Sequence, residues 1–320
     1  MKKHQTSLIL RRFSQSKMTD FEPAYIRSYH SGMLKQRAKE ARRRLGSCSL
    51  CPRRCKVDRI YHRQTGICNT LEKAWVSSFH PHFGEEAPLV GVHGSGTIFF
   101  THCNLLCNFC QNYDISHQGV GQEVTDAQLV SMMLSLQQEG CHNINFVTPS
   151  HVVPQILSAV EMACASGLTI PLVYNSGGYD RVETLQLLDG VFDIYMPDFK
   201  FWDSSIAEMT CNAPDYPEVA GRSIWEMYRQ VGDLVLDEKG VAQRGLLVRH
   251  LVLPDGQAGT REIMRFISQE ISTNTYVNIM SQYRPCGNLT GIKGLQRSVS
   301  RREFMDALSA AKAEGITRLD

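Results

Sequence analysis

Short apolar runs along the chain alternate with stretches in which apolar residues recur every third or fourth position. The short runs at residues 97–101, 143–147, 170–174, 191–196, 245–253 and 276–280 read as strands. Between them the period lengthens. Residues 126–138 read as a helix, and Val153, Ile156, Leu157, Val160, Ala163 and Cys164 follow helical i, i+3, i+4, i+7 spacing. Pro154 is acceptable there because it falls in the first turn. Residues 181–188 read as a helix stopped by Gly190, and residues 217–231 as a longer helical stretch. Ile263, Phe266, Ile267 and Ile271 mark one more helix face, and Phe304, Ala307, Leu308 and Ala311 the last. Strands alternating with helices predict a parallel sheet joined by right-handed crossovers. Six such units are too few for a closed eight-stranded barrel. The predicted fold class is therefore α/β, an open, partial six-stranded parallel βα barrel with a small cysteine-rich N-terminal extension. In such a barrel, polar groups at the C-terminal ends of the strands are the functional candidates.

Before this core the pattern is weaker. Residues 22–45 read as one helix, with Pro23 near its start, Gly46 past its end, and Arg42, Arg43 and Arg44 complementing the dipole of its last turn. The charge run at residues 35–44 reads as a solvated face of that helix. Residues 75–96, with His80, His82, Gly91, Gly94 and Gly96, read as a loop-rich bridge whose histidines lie on the surface. Residues 1–19 hold five basic residues, and Asp20 is the first acid. That composition reads as a disordered tail, an upstream start with Met18 as the true first residue, or a weakly transit-like leader. The expected organisation is a tail or leader at residues 1–20, a helical and cysteine-rich region at 21–96, and the core domain at 97–320.

Composition narrows the classes. The chain has 320 residues, 42% hydrophobic and 21% charged, the balance of a soluble globular protein. No apolar run approaches the length that crosses a bilayer, and a formal charge of +2 gives no support to nucleic-acid binding. Eleven cysteines without a secretory signal favour metal ligation in a reducing, cytoplasmic setting over disulfides, with organellar import as the alternative.

The cysteines fall in two groups. Cys103, Cys107 and Cys110 are spaced C-x3-C-x2-C, too tight to pair with one another, yet able to face one inorganic centre from a short loop. Three thiolates on a four-iron cluster leave one iron without a protein ligand, and an open metal position is where chemistry happens. Cys48, Cys51, Cys55 and Cys68 have the arithmetic of a four-thiolate site, for which zinc and an auxiliary iron–sulfur cluster both fit. Cys141, Cys164, Cys211 and Cys286 read as core or loop residues.

The C-x3-C-x2-C spacing, with Phe109 before the last cysteine, resembles the signature of radical S-adenosylmethionine (SAM) enzymes. The run of residues 103–112 is similar to the pyruvate formate-lyase activating enzyme branch, and the resemblance covers roughly residues 48–320. It implies a partial barrel of radical SAM type, with a 4Fe-4S cluster on Cys103, Cys107 and Cys110 and SAM on the open iron. Reductive cleavage of SAM would yield a 5′-deoxyadenosyl radical that abstracts hydrogen. The branch further implies an electron donor such as flavodoxin or ferredoxin, and a protein substrate, a glycyl radical enzyme.

At the predicted strand ends the resemblance assigns SAM contacts. Asp198 and Lys200, two apart on extended chain, share a face and are similar to the Asp-x-Lys of the activating enzymes. Arg249 lies between Val248 and Leu251, where a charge needs a partner, and corresponds to an arginine on the SAM side of those barrels. Ser176, followed by Gly177 and Gly178, offers a hydroxyl suited to ribose. The Gly-Gly-Glu run that receives the methionyl amine in many of these enzymes is missing, leaving Thr148 and His151 as candidates. Gln282, Tyr283 and Arg284 are candidates for the mouth of the barrel. The extra four-cysteine region departs from the small activating enzyme. Radical SAM chemistry on another peptide, an RNA or a small molecule therefore stays open, as does a non-catalytic iron–sulfur electron carrier or scaffold.

Overall fold

The computed structural model describes residues 21–287, 289, 292 and 294–320, so the basic tail or leader lies outside the described residues. Nine strands form one sheet: β1 (Ala74–His82), β2 (Ser95–Phe100), β3 (Gln122–Val124), β4 (Ile144–Val147), β5 (Leu172–Ser176), β6 (Ile194–Pro197), β7 (Val235–Leu236), β8 (Ala242–Leu251) and β9 (Tyr276–Met280). Their order is β3-β1-β2-β4-β5-β6-β8-β7, with β9 also paired to β8. From β2 through β4, β5, β6 and β8 to β9 every pairing is parallel. β1, β3 and β7 add antiparallel pairings at the flanks. Among the described residues no pairing joins β9 back to β2, so the sheet is open. All residues of β5 and β6 are buried, as expected of parallel strands covered on both faces.

Two expectations need correction. Residues 75–96 are not a loop-rich bridge, because β1 occupies eight of them together with Ala74, pairing antiparallel to β2. Its rings lie along the sheet: His80 stacks on Phe99 at 5.7 Å and His82 meets the same ring edge-on at 5.8 Å. The helix expected over 22–45 is two helices, Ala24–His30 and Met33–Arg43. Gly32, at φ 75°, turns the chain between them. Near the C-terminus, the face marked by Ile263 and Phe266 is an α-helix, Thr260–Phe266, that loosens into a π turn over Ile267–Ile271.

These N-terminal helices share the core of the sheet. Tyr25, Leu34 and Ala41 are buried in the same apolar cluster as Ile144, Phe146 and Tyr174. Polar anchors fix the contact: Tyr25 Oη donates to the Ile170 carbonyl at 3.0 Å, and the Ala24 N–H donates to Asp193 Oδ1 at 2.8 Å. Burial pushes the Asp193 carboxyl up to about 7 despite its two backbone donors, Ala24 and Leu172. By contrast, Leu45, Cys48 and Leu50 form a separate, much smaller cluster. Residues 48–73 contain no helix or strand. Among the described residues no helix is long and apolar enough to cross a membrane.

Candidate functional site

A cleft of about 250 Å³ opens where the parallel strands end. One wall is the loop between β2 and the helical turn Tyr113–Ser116, and it contributes Cys103, Cys107 and Cys110. The other walls are strand ends: Thr148 after β4, Asn175 and Ser176 of β5, Asp198 and Lys200 after β6, and Arg249 and Leu251 of β8. The three cysteines and the four proposed SAM contacts, Ser176, Asp198, Lys200 and Arg249, thus line one cavity.

The cysteine loop is held from several sides. His102 and Leu106 take left-handed conformations, at φ 64° and 56°. The His102 N–H donates to the Ile115 carbonyl at 2.9 Å, and the Asn108 N–H to that of Thr210 at 2.9 Å. Asn104 is buried and donates to the Tyr179 carbonyl at 2.7 Å. Phe109 wedges edge-on between Phe201 and Tyr283, at 5.9 and 5.8 Å. Two sulfurs already receive hydrogen bonds, Cys103 from the Leu105 N–H at 3.3 Å and Cys110 from Ser116 Oγ at 3.2 Å. Such donors orient and stabilise thiolates that bind metal. Burial pushes the Cys103 thiol up to about 12, with Cys107 adding to it. Cys107 is raised as well, chiefly by its hydrogen bond with Cys211 and then by burial. Cys211 is therefore a core residue as expected, but one that touches the loop. Cys286 reaches it too, donating to the Phe109 carbonyl at 3.0 Å.

Opposite the sulfurs lies a buried ion network. Arg249 Nε donates to Asp198 Oδ1 at 2.8 Å, Lys200 Nζ donates to Asp198 Oδ2, and Arg249 Nη2 donates to Asn175 Oδ1 at 2.8 Å. Burial pushes the Asp198 carboxyl up, but Arg249 and Lys200 together hold it below the usual carboxylate range. Burial likewise works against both cations. Asp198 more than offsets it, so each stays charged. Glu85, which sequence reasoning passed over, closes the network 3.7 Å from Arg249. Its own carboxyl is raised by burial, which Arg249 only partly offsets. Tyr216 supports the same corner: its hydroxyl accepts the Lys200 N–H at 2.9 Å and donates to the Gly177 and Asp198 carbonyls at 3.0 Å. Nothing in the local pattern around Glu85 or Tyr216 announces these roles, since their partners are more than ten residues away.

Several expected contacts are placed differently. Ser176 lines the cleft, but its hydroxyl is engaged in its own turn, donating to Asp180 Oδ2 at 2.6 Å and accepting the Gly178 N–H at 3.2 Å. Thr148 reaches the cleft at φ 61°. His151 does not; it faces away, into the wall of the four-cysteine pocket. Gln282 lines the cleft, whereas Tyr283 is buried and donates to the Leu295 carbonyl at 2.6 Å.

Cys48, Cys51, Cys55 and Cys68 line that second, separate pocket. Burial pushes the Cys51 thiol up to about 12, and Cys68, Cys48 and Cys55 each lie close enough to add to it. Among the described residues no three His, Cys, Asp or Glu side chains converge as a finished metal site. The four thiols are gathered around one space rather than closed on a point.

Fold and site together define an α/β protein with an open, mostly parallel sheet and a cysteine-lined cleft at its strand ends. No family model matches the chain. It is 32% identical over 273 residues to the uncharacterized protein MJ0674 of Methanocaldococcus jannaschii, a match spanning 83% of this chain and 74% of that protein. The chain belongs to the family of that archaeal protein. Among solved structures it resembles native anSMEcpe with bound AdoMet, with a TM-score of 0.45 and 12% identity over 67% of this chain and 57% of that one.

Proposed function

We propose that the protein is a radical SAM enzyme similar to the pyruvate formate-lyase activating enzyme. The observation that carries this reading is the shared cleft: a C-x3-C-x2-C loop faces Asp198, Lys200 and Arg249 across about 250 Å³ at the strand ends. Cys103, Cys107 and Cys110 would hold a 4Fe-4S cluster, and the donors already aimed at Cys103 and Cys110 sulfur fit thiolate ligands. When bound, the cluster and SAM supply one-electron reductive cleavage of a sulfonium and, from it, hydrogen abstraction.

The chain's own residues hold and orient. Lys200 and Arg249 present positive charge suited to a carboxylate, and Asp198 fixes both cations at defined positions. Asn175, whose Oδ1 already accepts from Arg249, and Gly177 add polar groups to the same cleft and would be available to a bound SAM. Phe99, Leu105 and Leu251 give the cleft an apolar wall that would limit water around a bound group. An external donor of the flavodoxin or ferredoxin class supplies the electron, and a backbone glycine of a partner enzyme is the hydrogen source in this reading.

Anaerobically reconstituted protein should form 5′-deoxyadenosine from SAM with dithionite, and Cys107→Ser should abolish it. Wild-type protein that binds iron at this loop yet never cleaves SAM would instead identify an electron carrier. Incubation with glycyl radical enzymes, read by electron paramagnetic resonance, tests the protein substrate. SAM cleavage without any glycyl signal would move the substrate to another peptide, an RNA or a small molecule.

A further inference from the structure

The four-cysteine region is long, irregular and poor in apolar burial. Residues 48–73 lack helix or strand, and their private core amounts to Leu45, Cys48 and Leu50 with Val57 and Ile60 against them. A segment of this length without secondary structure is uncommon unless something else orders it. Arg54, Lys56, Arg63 and Asn69 all sit at positive φ, between 43° and 56°. Strained backbone of this kind persists only where the surroundings over-determine it. Four thiols line one pocket, three of them buried. In the same wall His151 Nε2 donates to the Thr101 carbonyl at 3.0 Å, which leaves Nδ1 as a bare lone pair, buried without a partner. A buried polar atom with no partner is uncommon, and this one belongs to a residue that lines the four-thiol pocket.

The space discriminates between guests. It admits the centre of a water-sized sphere over only about 10 Å³, against about 250 Å³ in the cleft. That is roughly one sphere's worth. A single ion held at about 2.3 Å by four thiolates is the smallest guest that four cysteines of this kind take. A cubane of four irons and four sulfides needs much more room.

This pocket is wired to the cysteine loop of the cleft. Arg53, from the knuckle between Cys51 and Cys55, donates to the carbonyls of Asn104 at 3.0 Å, Leu105 at 3.2 Å and Cys211 at 2.7 Å, and also to that of Asn212. Its guanidinium lies 5.2 Å from the centre of the Tyr179 ring. Arg59, fully buried, donates to the His151 carbonyl at 2.9 Å and points a second contact at Cys48 Sγ at 3.8 Å. His151 then reaches Thr101, two residues before Cys103.

We propose that Cys48, Cys51, Cys55 and Cys68 bind one zinc-type divalent ion, and that this ion fastens the loop of Cys103 and Cys107 through Arg53 as a positioning residue. The metal assignment stands apart from the radical SAM reading. Only the consequence for the cluster rests on it.

Full-length protein purified without oxygen is analysed for zinc and iron, and exchange of backbone amides at residues 101–110 is followed before and after zinc is stripped by a chelator and restored. One zinc per chain is expected, absent from Cys51→Ser. Stripping should accelerate exchange of residues 101–110 by about ten-fold or more, and zinc alone should reverse it. Arg53→Ala should keep its zinc yet show the same acceleration, with Arg53→Lys intermediate because an ammonium cannot span four carbonyls. In wild type, the cluster's paramagnetic resonance spectrum should shift on SAM addition, and Arg53→Ala should blunt that shift. Iron without zinc in a variant lacking Cys103, Cys107 and Cys110 overturns the single-ion assignment. Unchanged exchange in Arg53→Ala overturns the coupling. If wild type binds no cluster at Cys103, Cys107 and Cys110, the proposed function fails while the zinc and exchange results still decide this inference.

Discussion

Asp198 shows how one side chain can serve both folding and binding. It is buried to within 8% of full exclusion and carries two cations on its two oxygens. Asp198→Asn keeps the shape but leaves Lys200 and Arg249 with surplus buried charge, which should cost about 3–5 kcal/mol in urea unfolding. Adding Arg249→Met should recover only part of that stability, because Lys200 stays buried without its carboxylate and Glu85 loses its arginine. SAM cleavage should not return in the double variant, and its return would remove Arg249 and Asp198 from the SAM site. His250, one residue on, makes a cleaner prediction about pH. It is fully buried, with Nδ1 at 2.7 Å from the Phe199 carbonyl and Nε2 at 2.9 Å from Thr260 Oγ1. Burial pushes its pKa down to about 4. Above the unfolded value of about 6.5 neither state is protonated, and its contribution is fully present. As pH falls from there towards 4, the unfolded chain gains a proton that the folded one refuses. Stability should drop by about 2 kcal/mol between about pH 7.5 and 5 from this residue. In His250→Gln that part of the slope should vanish from urea titrations run at each pH.

At the scale of elements, the strand ends carry the site because glycine lets two of them approach. Gly178, at φ 75°, follows β5, and a Cβ there would lie 2.1 Å from the carbonyl oxygen of Asp198. Gly178→Ala must therefore push apart the ends of β5 and β6, and with them Asn175 and Asp198. Gly167 offers a control: it too has positive φ, at 93°, but nothing lies within 4 Å of its would-be Cβ. Gly167→Ala should lose only about 1 kcal/mol of backbone strain, and Gly178→Ala about 2–3 kcal/mol or more, measured by thermal unfolding. The pair Gly177-Gly178 reads in the sequence as a turn or a close approach to a ligand, whereas the structure sets Gly178 against the Asp198 carbonyl. The main strands were readable for the reason that they are buried on both faces and so run continuously apolar. β1 was hidden because Pro81 and two histidines give it the look of a loop. Pro81 is tolerated because β3 pairs only with residues 74–76, leaving β1 a single neighbour at that point. Ser176 was legible as a position in the cleft, while its bond to Asp180, four residues on, was not.

For the molecule as a whole, spacing alone separated the two cysteine groups, and only the fold shows that they are neighbours. Arg53 looked like part of a tight knuckle, while its partners lie more than fifty residues away. Two levels of stability follow from this arrangement. The helices Ala24–His30 and Met33–Arg43 are built into the sheet's apolar core, whereas residues 48–73 have almost none of their own. Loss of the ion should therefore open the cysteine-rich segment locally without unfolding the rest. Trypsin is a suitable probe because Arg54, Lys56 and Arg63 are exposed within that segment. Zinc-loaded protein should resist cleavage there, since these residues are held in left-handed conformations that do not fit a protease's extended substrate groove. After chelation, cuts at these three positions should come first. The nicked pieces should then co-elute in gel filtration, because Tyr25 and Leu34 still anchor the N-terminal piece in the core it shares with β4 and β5. Equal cleavage with and without zinc would show that the segment is ordered by its own contacts. Dissociation of the pieces would instead place the N-terminal helices outside the cooperative core.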